Sequence, residues 1–149
     1  MIRHWTFLAA ALAASVLPAV AQEAASLSVA SSDEYGEYLA GSSGMTLYMF
    51  EADTQGEEAT DAVSACYDSC ATFWPPLTTT GDPEVGDGIS VDLIGTIERT
   101  DGTTQVTYNG WPLYYYARDE VAGDTTGQGV DAAGGLWYLV SPGGEVIED

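Results

Sequence analysis

The sequence predicts a mostly β protein made of two tandem related β halves in one compact domain, with one short Cys-bearing helix. Three observations lead there. The stretch Gly44-Met45-Thr46-Leu47-Tyr48-Met49-Phe50-Glu51-Ala52-Asp53 aligns without a gap on Gly110-Trp111-Pro112-Leu113-Tyr114-Tyr115-Tyr116-Ala117-Arg118-Asp119. Gly, Leu, Tyr, an aromatic and Asp recur at the same five places, and a Trp follows each copy (Trp74, Trp137), so the chain carries an internal duplication that constrains its architecture. Second, Asp101-Gly102 and Asn109-Gly110 interrupt β-rich runs with the dipeptides that favour tight hairpins. Third, nine Tyr, four Trp and 46% hydrophobic residues are too many for a disordered acidic chain, despite a net charge of −20.

From the N-terminus, residues 1–21 read as a signal peptide. Arg3 and His4 give a short positive region, Phe7 to Val16 an apolar run, and Ala19-Val20-Ala21 a small-residue cleavage pattern. The run is shorter than the roughly 20 residues a membrane span needs, and no Cys follows the cleavage pattern to take a lipid. The expected product is a soluble periplasmic or secreted protein of residues 22–149. It forms a single β-rich domain with repeats over about 36–80 and 93–143, and no membrane span after cleavage.

Ser26 to Asp33, small and polar, reads as a lead-in. Glu37-Tyr38-Leu39 and Met45 to Phe50 flank Gly41-Ser42-Ser43-Gly44 as a hairpin with a four-residue loop. Alternation puts Met45, Leu47 and Met49 on one face and Tyr48 and Phe50 on the other; both faces are apolar, which predicts a strand covered on both sides. Glu51 to Asp61 is an acidic loop. Ser64 is placed to cap a short helix running from Ala65 to Ala71, which Trp74-Pro75 ends. Thr78 to Asp87, with Gly81, Pro83 and Gly86, reads as the linker between copies.

In the second half, Leu93 to Arg99 and Thr103 to Tyr108 should pair through a type I′ turn at Asp101-Gly102. Asn109-Gly110 then leads into Trp111 to Tyr116 as a third strand. Pro112 lacks an N–H, which puts that strand at an edge or gives it an irregular start. A Gly-rich loop from Gly123 to Gly135 precedes a last strand, Leu136 to Val140, stopped by Pro142-Gly143-Gly144.

Tyr48-x-Phe50-x-x-Asp53 and Tyr114-x-Tyr116-x-x-Asp119, with Ser64-x-Cys66-x-x-x-Cys70-Ala71-x-x-Trp74-Pro75-Pro76-Leu77 between them, carry a resemblance. They resemble the bacterial secreted repeat of unknown function, also described as predicted lipoproteins with a Tyr-x-(Phe/Trp/Tyr)-x-x-Asp motif. The likeness covers about Tyr38 to Gly143. It implies export, a tandem repeat and no established activity, and it brings no catalytic residues. The missing lipidation Cys is a departure from the lipoprotein description.

The residue inventory narrows the chemistry. Beyond the leader there is no His and no Lys, which removes Ser-His-Asp and Cys-His catalysis, imidazole metal sites and Schiff-base lysines. No phosphate-cradling Gly motif occurs. Twenty-three acids against three Arg exclude nucleic-acid binding, which depends on cations neutralising phosphates. No cofactor and no metal site is expected. Copper on Met45 and Met49 fails on distance, since four residues of strand span about 13 Å; whether the acidic surface collects Ca²⁺ is left open.

Three groups remain. Asp53 and Asp119 are either an acid/base pair, which needs them about 5–10 Å apart, or acceptors that close the turn after each phrase. Cys66 and Cys70, about 6 Å apart at Cα if helical, suit a structural disulfide in an oxidising compartment, a redox-active pair, or soft-metal ligation. The aromatics are either core or, through Trp74, Trp111 and Trp137, an exposed ligand face. The leading expectation is therefore a non-enzymatic binding or interaction module of the bacterial envelope, whose partner is an envelope protein or a small ligand. The alternatives are an accessory redox protein using Cys66 and Cys70, and a carboxylate-dependent hydrolase using Asp53 and Asp119.

Overall fold

A computed structural model describes residues 24–149; the signal-peptide expectation lies outside them. Its first element corrects the reading of Ser26 to Asp33 as a lead-in. That stretch is strand β1 (Ser26–Ser32), paired antiparallel with β2 (Gly36–Ala40) from Ser28↔Ala40 to Ser32↔Gly36. Small polar residues suffice because only Leu27 must reach the interior, and it is buried. After β2 the chain turns through a single 3-10 turn, Ser42–Gly44, and Leu47 N–H returns to Leu39 C=O at 3.1 Å. The expected strand over Met45 to Phe50 is regular only in β3 (Tyr48–Phe50).

The alternation of β3 does what its sequence demands. Leu47 and Met49 enter an aliphatic core with Leu27, Leu39, Val106 and Val140. Tyr48 and Phe50 enter an aromatic core with Trp74, Tyr114, Tyr116 and Trp137. β3 is thus a partition with a separate core on each side, so a one-residue slip in its register would exchange the two sets of side chains.

Helix α1 is Ser69–Phe73, later than expected, and its capping residue is Asp68 rather than Ser64. Asp68 makes no side-chain capping bond, and Ser64 is engaged elsewhere. Cys70 lies on the helix and Cys66 before it. The stretch read as a linker holds β4 (Glu84–Val85), which adds to β1 in parallel and gives the order β2-β1-β4.

The second half opens with β5 (Ile94–Glu98) and β6 (Thr104–Tyr108), followed by β7 (Trp111–Pro112) at the sheet edge. The turn at Asp101-Gly102 is not type I′. Only Gly102 has positive φ, Gly102 N–H bonds Arg99 C=O, and Asp101 Oδ1 accepts from Thr103 N–H. The result is a three-residue loop ending in a left-handed Gly. Asn109-Gly110 does form the type I′ turn, with φ of 50° and 78°, directly opposing Tyr108 and Trp111.

The Gly-rich loop contains β8 (Asp131–Ala132), which pairs with β9 (Gly135–Val140). Pro142-Gly143-Gly144 reverses the chain rather than ending it, and β10 (Val146–Ile147) pairs back on β9. The second phrase is the largest departure from expectation. After β7 it is no regular strand, yet Tyr114 bridges Tyr48 on one side and Pro76 on the other.

Those bridges define the architecture. Phrase one pairs with the end of the second copy, Tyr48 opposite Leu139 and Phe50 opposite Trp137, with Glu51 N–H on Leu136 C=O. Phrase two pairs with the end of the first copy, through Ala117 N–H to Phe73 C=O and Tyr115 N–H to Pro75 C=O. At the centre the phrases pair with each other, Tyr48 N–H to Tyr114 C=O at 2.8 Å and Tyr114 N–H to Tyr48 C=O at 2.9 Å. The copies are interlocked about a pseudo-twofold, each phrase completing the other copy. The fold is mostly β, and no closed barrel forms among the described residues.

Candidate functional site

The interlock explains the motif residues. Tyr48 OH donates to Asp119 Oδ2 at 2.7 Å, and Tyr114 OH donates to Asp53 Oδ2 at 2.6 Å. Each tyrosine is held by the aspartate of the other copy. Asp53 Oδ1 accepts Ala65 N–H at 2.7 Å, and Asp119 Oδ1 accepts Thr126 N–H at 3.0 Å, so both carboxylates anchor a following loop rather than closing a local Asx turn. Both are buried, and neither lines a cavity described below.

The rings obey the same symmetry. Tyr116, Trp74, Trp137 and Phe50 form one continuous stack, with centroid spacings of 3.9, 3.9 and 4.1 Å in that order. Tyr48 meets Trp74 edge-on at 5.5 Å, and Tyr114 meets Trp137 edge-on at 5.1 Å. Such contacts contribute about 0.5–1.5 kcal/mol each beyond area burial. Trp74 is 1% and Trp137 0% exposed, which corrects the expected ligand face of Trp74, Trp111 and Trp137. Two of the three tryptophans are the centre of the core, and half-buried Trp111 packs against the other, aliphatic cluster.

The two tyrosine–aspartate pairs differ in their surroundings. Gly127 N–H donates to Tyr48 OH, and a Cβ at Gly127 would lie 2.7 Å from Tyr48 Cζ and 3.0 Å from Trp74, so only Gly allows that backbone approach. Tyr114 OH instead takes its second bond from Ser64 Oγ at 2.6 Å. Ser64 Oγ in turn accepts from Cys66 N–H and from Arg99 Nη1 at 3.0 Å. Arg99 is 4% exposed. Its fork also reaches Gln105 Oε1 at 2.8 Å and Cys66 C=O, and its guanidinium lies 4.2 Å from the Tyr67 ring centre.

A polarised relay therefore runs from the Arg99 cation through Ser64 and Tyr114 to Asp53. Desolvation dominates at Asp53 and lifts its pKa to about 6, against the opposing pull of Ala65 N–H, Tyr114 OH and Arg99. Burial, with the neighbouring carboxylate adding to it, holds the hydroxyls of Tyr48 and Tyr114 protonated well above their ordinary range. Neither Arg99 nor Gln105 was singled out by the sequence. The available signal was Gln105 alternating with Val106 in a two-faced strand, an inward position that a polar amide occupies only with a partner.

Cys66 and Cys70 are joined, with S–S 1.98 Å and Cα–Cα 5.2 Å. Cys66 is buried in the aromatic core, whereas Cys70 is half-buried and borders a groove. That groove, about 460 Å³, runs between α1 and β8 across the outer end of the ring stack. Its lining includes Trp74, Tyr116, Phe73, Val130 and Ala132, together with the exposed Arg118. Phe73 is 51% exposed. Two other hollows, about 500 and 520 Å³, are polar; one is lined largely by Thr78, Thr79, Thr80, Thr103 and Thr104.

Among the described residues, no three potential metal-ligating His, Cys, Asp or Glu side chains gather together. Of the methionines, Met49 is in the aliphatic core and Met45 is half-buried. No helix among the described residues is long and apolar enough to cross a membrane.

The family model described as a secreted repeat of unknown function matches the chain twice, over residues 29–78 and 95–141. The first match begins within β1, in keeping with that strand's place in the first copy. No curated protein and no solved structure matches the chain. The chain belongs to this family of secreted repeats.

Proposed function

From that membership as premise, we propose that the protein is an extracytoplasmic, non-enzymatic binding module that works from the periplasmic face or the medium, with the groove between α1 and β8 as its recognition site. The groove carries this reading, because it combines a largely apolar lining, a half-exposed Phe73 and a rigid floor supplied by the ring stack. Small-molecule sites share that combination of an apolar cleft with few polar groups on a preformed scaffold. The motif residues support the same reading by being fully committed to the interlock, which leaves Asp53 and Asp119 bound and buried instead of poised at a cleft.

The test is a thermal-shift screen of the exported protein against fractionated envelope extract, beside the variant Phe73→Asp. A fraction that raises the melting temperature of the wild type and not of Phe73→Asp is the expected outcome. Equal shifts in both proteins, or no shift with any fraction, overturn the groove as the site.

A second reading is favoured by one observation, that Cys70 borders the same groove. In it, the Cys66–Cys70 disulfide exchanges two electrons and two protons with a partner dithiol that docks there. A reduction potential below about −300 mV, the range of inert structural disulfides, rules that reading out.

A further inference from the structure

We propose that the ligand of the groove is a planar organic anion, a flat apolar ring system bearing one carboxylate or sulfonate. Its ring lies against Phe73, Val130 and Ala132, and its acid group sits on Arg118. This rests on the binding-module reading above and gives that site a ligand class.

The charge distribution carries the inference. Lys and Arg total three in the whole chain, against 23 acids. Arg3 lies outside the described residues and Arg99 is buried in the relay, so Arg118 is the one exposed cation among the described residues. It makes no hydrogen bond or ion pair there, although Asp119 is its neighbour in sequence. Both oxygens of Asp119 are taken, by Tyr48 and by Thr126. An unpaired guanidinium is a planar fork that receives a carboxylate or sulfonate through parallel hydrogen bonds. Here it stands at the rim of an apolar groove.

The pseudo-twofold supplies an internal comparison. The position equivalent to Arg118 in the first copy is Ala52, and the ring equivalent to Tyr116 is Phe50, which is fully buried against Trp137. The cation and the open groove therefore occur together, at one end of the stack only. The volume of about 460 Å³ suits a ligand of two or three fused or linked rings, within the roughly 300–1,000 Å³ of small-molecule clefts.

The acidic surface elsewhere sharpens this selectivity. It repels anions from every other part of the protein, and that long-range repulsion is screened beyond about 10 Å at 0.1 M salt, whereas a contact pair on Arg118 is screened far less. Binding of the anion should thus hold or tighten as salt rises to that level, opposite to an ordinary surface ion pair.

The experiment compares two probes with one skeleton, 1-anilinonaphthalene-8-sulfonate and uncharged N-phenyl-1-naphthylamine. Both are titrated by fluorescence into the exported protein and its variants Arg118→Gln and Phe73→Ser. Both sites are exposed, and retained secondary structure by circular dichroism confirms each fold. The sulfonate is expected to bind more tightly than the neutral probe. Arg118→Gln should weaken the sulfonate by about ten-fold or more, the size of one charge-assisted pair, and leave the neutral probe unchanged. Phe73→Ser should weaken both. Unchanged sulfonate affinity in Arg118→Gln, or a neutral probe that binds as tightly as the sulfonate, overturns the anion inference while the binding-module reading stands. Failure of both probes to bind wild type overturns both.

Discussion

Asp53 gives the interlock a pH signature that a single substitution can read. Its carboxyl has an ordinary value of 3.8 and is lifted to about 6 in the folded protein, chiefly by desolvation. In the unfolded chain it titrates near its ordinary value. Below about pH 4 both states hold the proton. Between about pH 4 and 6 the folded state keeps a proton that the unfolded chain has released, so stability falls as pH rises; above about 6 the difference is constant. A shift of about two units corresponds to about 3 kcal/mol at a buried site. Self-repulsion in a chain of net charge −20 pushes the same way, because lowering the pH relieves it. That contribution is common to wild type and Asp53→Asn, so the difference between their curves isolates Asp53.

The assay is urea unfolding at constant ionic strength from pH 4 to 8. Wild type should lose about 3 kcal/mol more than Asp53→Asn across the window. Tyr114→Phe should move the wild-type fall to higher pH, since the Tyr114 hydroxyl is one of the groups holding the Asp53 value down. It should also cost about 1.5–3 kcal/mol at neutral pH for the lost bond to a charged group. Tyr48→Phe, whose hydroxyl meets Asp119, should leave the Asp53 step in place. Wild-type and Asp53→Asn curves that run parallel within about 0.5 kcal/mol would refute the assignment of a buried, desolvated carboxylate at this position.

Other consequences are simpler to check. Gly127→Ala should lower stability by about 1–3 kcal/mol by driving a methyl against Tyr48 and Trp74, whereas Gly143→Ala, with its nearest neighbour at 3.7 Å, should be near neutral in the same thermal melts. Reduction of Cys66–Cys70 should cost about 2 kcal/mol, the chain-entropy value for so short a loop, and leave the far-ultraviolet dichroism unchanged. Fragments 24–80 and 88–149 should each lack near-ultraviolet aromatic dichroism alone and regain it on mixing, because every phrase pairs with the other copy; a fragment that folds by itself contradicts the interlock.

Much of the framework was legible because local rules and burial agreed. The two apolar faces of Leu47 to Phe50 could only be satisfied between two cores, and Asn109-Gly110 could only turn one way. Where a segment had two adequate partners, the sequence was silent. The repeat shows that Tyr48 and Tyr114 are equivalent, yet pairing within a copy and pairing across copies leave the same pattern, so the exchange of Tyr48 to Asp119 and Tyr114 to Asp53 was invisible. Trp74 and Trp137 were ambiguous for a related reason, since a large aromatic suits a stack in a core as well as a ligand face. The buried Arg99 was missed because a cation next to a turn is ordinarily solvated, and only the distant Ser64, Gln105 and Cys66 carbonyl make its burial tolerable. Ser64 looked like a helix cap for the same reason that it serves in the relay: its hydroxyl both donates and accepts.

The pseudo-twofold also separates what the two copies share from what they do not, which bears on the proposed groove. Whatever the two copies share is consumed by the interlock: the tyrosines and aspartates hold one another, and the paired rings form one stack. A ligand that recognised only these shared features would need two equivalent sites or none. The differences between copies are therefore the informative residues, and Cys70, Phe73 and Arg118 among them line one groove. The first copy alone carries the Cys66–Cys70 loop and exposed Phe73, and the second alone places Arg118 at the corresponding rim. Because each phrase docks against the end of the other copy, Phe73 of the first and Arg118 of the second become neighbours only after interlocking, through Ala117 N–H on Phe73 C=O. The groove is consequently a product of the duplication: neither copy alone brings its aromatic wall and its cation together.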